Sequence, residues 1–392
     1  MTLMAQAEAM LPELVALRRE LHQNPEVGLD LPFTQKRVLE ALEGLPLEIT
    51  LGTETTSIVA VLRGAKPGPA VLLRGDMDGL PVEEQTGLEY ASQNGNMHAC
   101  GHDLHTAGLV GAAKLLAAKQ DEIAGSVIFM FQPGEEGFNG ASVMIKEGVL
   151  DAAGERPVAA YGLHVGPGPR GLLATLPGPM LAGSSELHVT VHGRGGHGSM
   201  PYGAADPVVA LAELVTQLQV MITRKFNVFE PVVISVTRLS AGEAVNVIPP
   251  SASLSATVRT VTQTSLDALP GFIEELASGI ASAHGCTAEV NFETQYIPTV
   301  NDPAETEFAI ETLREQFGED LVQVPPHGVM GSEDFSYVLH EIPGTFYMLS
   351  ATPDGIDPMS AANHSPLVQF DDAVLSVGAA SLAQLALARL SK

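Results

Sequence analysis

The chain has 392 residues, 45 % of them hydrophobic and 17 % charged, which is enough apolar material for large cores and excludes wholesale disorder; at about 150 residues per domain the length suggests two or three domains. Lys and Arg total 20 against 46 Asp and Glu, a formal net charge of −26, and long-range repulsion of that sign argues against a nucleic-acid backbone or an anionic membrane face as partner. The 39 Gly and 27 Pro show no short period, which excludes collagen, and the two Cys cannot form a disulfide framework.

Residues 4–22 carry apolar positions at helical spacing and end before Pro25. They show no basic segment ahead of an apolar one, so no signal peptide is expected, and the cytoplasm is the expected compartment. Near-continuous apolar runs follow at 57–63, 69–75, 126–132 and 158–165, as strands buried on both faces should. Helical windows at 101–120 and 140–148 separate them. Strand and helix alternating in this way predict an α/β domain with a mostly parallel central sheet.

The pattern changes after the Gly/Pro-rich stretch 165–180. Strands are expected at 184–193, 231–240, 251–260 and 287–296, with helices at 206–226 and 265–285. Asp206 with Pro207 reads as an N-cap followed by a first-turn proline. This predicts a smaller α+β satellite domain over 184–298, inserted between parts 1–183 and 299–392 of the larger one. The α/β character then returns with a helix at 302–317, a strand at 344–350 and a helix at 371–390. Ser376, Ser381, Gln384 and Arg389 interrupt the last of these, so it reads as a buried helix rather than a membrane span.

Five segments of the larger domain carry chemistry. Residues 96–105, NMHACGHDLH, hold three His, one Cys and one Asp at the mouth of a helix, and imidazole and thiolate are what borderline-soft divalent metals prefer. Cys100 and His102, two apart, would point to one side of an extended backbone; a polar-capped helix start is the plain alternative. Glu135 and Glu136 follow an apolar strand in QPGEEG, where one acid can bind metal and the other move a proton, though a surface turn with two glutamates is commonplace. His164 lies near a strand end and His364 in a loop, and either alone reads as an ordinary histidine. Asp76 and Asp78 in RGDMDG could support a metal or cap a turn. In the smaller domain, His197 in a glycine-rich turn, Asn246 and Arg259 would together suit a carboxylate and an oxyanion; a hairpin turn and an exposed strand arginine are the alternative.

ELHQNPEVG (20–28), HACGHDLH, FQPGEEG, GLHV, GGHGSMP, NVIP, GSEDFSY and NHSP, in that order, resemble the amidohydrolase branch of the M20 metallopeptidase family over essentially the whole chain. The resemblance implies a catalytic α/β domain interrupted by a satellite domain that often mediates dimerisation. It implies two divalent ions, manganese or zinc with cobalt or nickel possible, held by Cys100, His102, Glu136, His164 and His364, with Cys100 bridging. Glu135 would be the general base and acid. His197 would steady the oxyanion, in related enzymes from the partner subunit, while Asn246 and Arg259 bind the substrate carboxylate. Many members have a ligand His where Asp76 stands and another His where Tyr202 stands. Asp76 and Asp78 are therefore expected around the metals rather than on them.

The implied reaction is hydrolysis of the amide bond of an N-acyl amino acid or related conjugate by a homodimer. Two rivals use the same residues. One is a metal-independent cysteine hydrolase with Cys100 as nucleophile; the other is a non-enzymatic metal- or ligand-binding protein. Cys286 reads as a structural thiol.

Overall fold

The computed structural model describes residues 2–392, and the chain divides into two compact units. The larger comprises the residues up to Met180, 300–327 and 334–392; the smaller comprises 181–299 and 328–333. The short segment 328–333 joins the smaller unit because Ala182 N–H donates to the carbonyls of Val329 and Gly331, at 3.2 and 2.9 Å.

The larger unit is built on an eight-stranded sheet. Its order is Leu47–Leu51, Ile58–Arg63, Ala124–Gln132, Lys66–Asp76, Ala159–Gly166, Gly344–Ser350, Leu173–Ala174, Val322–Gln323. The four strands from Ala124–Gln132 to Gly344–Ser350 are mutually parallel. Leu47–Leu51 and Ile58–Arg63 join antiparallel at one edge, and Leu173–Ala174 is antiparallel to Gly344–Ser350. Strand Ala124–Gln132 is buried along nearly its whole length, which requires cover on both faces and accounts for its unbroken apolar sequence. Helices Leu3–Gln23, His102–Ala117 and Val374–Leu390 pack on one another and contribute to this core. The parallel register sets Asp76 opposite Gln132 and His164 opposite Met348. The C-terminal strand ends therefore present Asp76, the Gln132–Glu136 segment and His164 at one edge, the usual ligand edge of such sheets.

Two elements of this unit leave weak traces in the sequence. Helix Pro32–Leu42 buries only Thr34, Val38 and Leu42, one residue per turn. Strand Leu47–Leu51 lies at the sheet edge and is almost wholly exposed, so it lacks any apolar run.

The smaller unit has an antiparallel sheet in the order Val232–Ala241, Ser251–Thr260, Gly183–His192, Thr287–Tyr296. Along Ser251–Thr260 burial alternates strictly, as in a sheet with one face on a core and one toward solvent. Helices Pro207–Lys225 and Gln263–Ala283 pack against the sheet and share its hydrophobic core. The side chains of Asp206 and Thr262 cap their N-termini.

Candidate metal centre

The segment that carries Cys100 and His102 is not extended, contrary to the expectation from their spacing. Gly101 between them is left-handed (φ 84°), and helix His102–Ala117 begins at once. A Cβ at residue 101 would meet Val165 Cγ2 at 2.3 Å. Glycine is thus required both for the backbone angle and for room, and the tight turn still brings both side chains to one point.

Glu135 and Glu136 follow strand Ala124–Gln132 across a Pro133–Gly134 turn, with Gly134 at φ 71°. The carboxylate of Asp78 accepts the backbone N–H of both glutamates, each at 3.0 Å. His164 donates from Nδ1 to its neighbour's carbonyl, Val165 O, at 2.7 Å. This fixes the tautomer, and the free Nε2 lies 3.3 Å from Cys100 Sγ. His364, itself at a positive φ of 71°, places Nε2 3.3 Å from Cys100 Sγ and 3.0 Å from Glu136 Oε1. A non-glycine residue in that region stores backbone strain, a cost met most often at functional sites.

Two triads result. The donor atoms of Cys100, His102 and His164 lie within 4.8 Å of one another, and so do those of Cys100, Glu136 and His364. Cys100 belongs to both. The ring of His102 is buried; Nδ1 lies 3.4 Å from Asp78 Oδ1, and Nε2 lies 3.5 Å from Asp76 and 4.0 Å from both Glu135 and Glu136. A thiolate, three imidazoles and a carboxylate are a donor set that divalent cations such as zinc or manganese fit.

The electrostatics agree. Burial pushes the Cys100 thiol up, but His164 and hydrogen bonds from His102, His164 and His364 outweigh it and hold the thiol well below its ordinary range. Burial pushes His164 down, yet the attraction of Cys100 raises it to about 8. Hydrogen bonds to Cys100 and Glu136 lift His364 to about 10. Burial, with the Cys100 charge, raises Glu136. The cluster therefore holds protons on the donors a cation would use.

Asp76 is buried beside this centre. Its carboxylate pairs with Arg74 Nη1 at 2.7 Å and His105 Nδ1 at 2.5 Å. Burial opposes ionisation, but Arg74, His102 and His105 hold the carboxyl well below the usual range. Asp334, within GSEDFSY, accepts from Arg74, Gln132 and the backbone of Ala141. The sequence offers no local cue to these partners. Asn363 is likewise unmarked, and its Nδ2 is 3.5 Å from Cys100 Sγ.

In the smaller unit, His197 sits on a two-residue ladder with Val247 opposite. Its Nδ1 accepts the backbone N–H of Ser199 at 3.1 Å, and Asn246 O accepts from Gly198 N–H at 2.8 Å. His197 and Asn246 thus share one tip. Arg259 lies at the far end of strand Ser251–Thr260, opposite Ser184, and donates to Ser184 Oγ at 2.8 Å and Thr257 Oγ1 at 2.7 Å. Eight residues separate Ser251, where that strand begins, from Arg259. At about 3.4 Å each this is a span of about 27 Å. A single smaller unit does not bring the three expected substrate-binding residues together. Tyr202 is exposed and Cys286 buried.

Residues 72–388 match peptidase family M20/M25/M40. Thermostable carboxypeptidase 1 of Saccharolobus solfataricus is 36 % identical over 379 residues, which cover 95 % of this chain and 94 % of that protein. An N-acetyldiaminopimelate deacetylase of Listeria monocytogenes serotype 4b is 37 % identical over 368 residues, 93 % of this chain and 96 % of that one. The crystal structure of the Bacillus subtilis YXEP protein, described as a dinuclear metal binding peptidase from the M20 family, superposes with a TM-score of 0.85 at 31 % identity, covering 98 % of this chain and 99 % of that one. Sequence, fold and the convergence of the motif residues agree, and the chain belongs to peptidase family M20/M25/M40.

Proposed function

We propose that this chain is a metal-dependent amidohydrolase that cleaves the amide bond of N-acyl amino acids or related conjugates. The observation that carries the reading is the meeting of two donor triads at Cys100. Cys100, His102 and His164 would hold one divalent ion, and Cys100, Glu136 and His364 the other. Manganese or zinc suits this set, with cobalt or nickel also compatible. When bound, two such ions would polarise a carbonyl, lower the pKa of water and stabilise the oxyanion. Glu135 takes the proton of the attacking water and returns it to the leaving nitrogen. Its buried position, fixed by Asp78 at the backbone, suits a base that must not swing away. Asp76 and Asp78 orient the surroundings.

His197 steadies the oxyanion, and Asn246 and Arg259 bind the substrate carboxylate. Because Arg259 and the His197 tip stand at opposite ends of the smaller unit, we assign the tip to the partner subunit of a homodimer formed through that unit. The substrate class rests on chemistry common to two relatives: a carboxypeptidase and an N-acetyldiaminopimelate deacetylase, by their names, each cut an amide whose nitrogen belongs to an amino acid. Both Cys are free thiols, which suits a reducing compartment and a cytoplasmic enzyme. No helix among the described residues is long and apolar enough to cross a membrane.

The test is turnover of N-acetyl, N-benzoyl and long-chain N-acyl amino acids before and after chelation. Activity is expected to vanish with the metals and return when manganese or zinc is restored. Cys100 and His164 are close enough for a thiolate–imidazolium pair, so activity that survives complete chelation would favour the thiol nucleophile instead. Metal uptake without turnover of any of these substrates would favour a binding protein.

A further inference from the structure

We propose that His105 is a positioning residue for His164, acting through the peptide of Val165. The proposal rests on the reading of His164 as a metal ligand. Asp76 and His105 take no part in the proton transfers above, yet both are fully buried next to them. His105 Nδ1–H donates to Asp76 Oδ1 at 2.5 Å. That leaves the lone pair on Nε2, which accepts the backbone N–H of Val165 at 2.8 Å. Both ring nitrogens are thereby engaged. His105 has no lone pair left for a cation, although it clusters with Asp76 and His102.

Val165 is the point where the supports meet. Its carbonyl accepts from His164 Nδ1 at 2.7 Å and from Asn363 Nδ2 at 3.1 Å, while its N–H is held by His105. The first of these bonds sets the tautomer and ring angle of His164, so whatever fixes the Val165 peptide aims His164 Nε2. The His105 ring also stands edge-on to the His164 ring, with centroids 4.7 Å apart and planes at 67°. Behind His105, Asp76 is locked from two directions: Arg74 Nη1 holds its carboxylate at 2.7 Å, and Thr106 Oγ1–H donates to its backbone carbonyl at 2.7 Å. The Asp76 carboxylate works indirectly, through an imidazole that steers a ligand on the neighbouring strand.

The test loads the parent, His105→Phe and His164→Gln with cobalt(II), then measures the affinity for each ion and the d–d and sulfur-to-cobalt absorption bands. Phe keeps the ring shape and removes both hydrogen bonds. In folded His105→Phe one ion is expected to bind about 10–100-fold more weakly, with shifted bands, while the other keeps its affinity. His105→Gln, whose amide oxygen can accept the Val165 N–H, should recover part of the loss. A folded Phe variant that binds both ions with parental affinity and spectrum, while His164→Gln loses one, overturns the proposal and leaves the ligand reading standing. If His164→Gln keeps both ions, the ligand reading itself fails and the proposal falls with it. Should His105→Phe not fold, Asp76→Asn, which removes the charge that anchors the ring, carries the same two outcomes.

Discussion

Glu135 and Glu136 are adjacent in sequence yet chemically distinct. Glu136 Oε1 lies 3.0 Å from His364 Nε2 and belongs to a donor triad with Cys100. Asp78 holds both backbones and both carboxylates lie 4.0 Å from His102, but Glu135 shares no triad with Cys100. Glu135→Gln preserves shape and removes basicity, so kcat is expected to fall about 10²–10⁴-fold. Ion content measured on the same sample should stay at the parental value; a variant that lost activity only by losing metal would assign Glu135 to the ligand set. His164 gives a second outcome at this scale. Burial alone would lower it, but Cys100 holds it near 8, so below that pH the metal-free protein carries a proton on a donor the cation needs. Binding must expel it. Zinc affinity should therefore rise between about pH 6 and 8, by up to about tenfold per unit for each proton displaced. Calorimetry in buffers of different ionisation enthalpy should register proton release; binding without it would place the cation elsewhere.

Gly101 shows how one element start sets the site. Its left-handed φ and the 2.3 Å approach of Val165 to a Cβ make Gly101→Ala costly in two ways, through the backbone and through the clash. The expected destabilisation is at least about 2 kcal/mol in urea unfolding, with weakened metal binding. Parental stability and affinity would mean that the turn is not what joins Cys100 to His102. The central strands and the two Asp-Pro helix starts, at 206 and 302, are legible in the sequence because each carries its own local signal: an apolar run, or a cap followed by proline. The edge strand Leu47–Leu51 is not, because an exposed strand needs no apolar residues. Nor is strand direction. Ile58–Arg63 runs antiparallel to Ala124–Gln132, and hydrophobicity is blind to that choice. The donor residues are legible through their motifs, whereas their supports are not. Arg74 and Asp334 meet across 260 residues of sequence, and Val165 contributes only backbone.

At the scale of the whole molecule, the His197 ladder and Arg259 lie far apart within the smaller unit. Under the homodimer proposed above, the partner subunit would supply His197. Two inactive variants, Glu135→Gln and His197→Ala, should then complement each other. On random reassortment half the dimers are mixed, and each contains one site with an intact Glu135 facing an intact His197. About one quarter of parental activity is expected. No recovery after verified subunit exchange would return His197 to its own chain.

Anomalous diffraction from crystals of the zinc- or manganese-loaded protein bears most directly on the two triads. Two peaks about 3.5–4 Å apart, with Cys100 Sγ between them, His102 and His164 on one and Glu136 and His364 on the other, are expected. A single peak, or peaks that leave Cys100 uncoordinated, would remove the basis for the proposed chemistry.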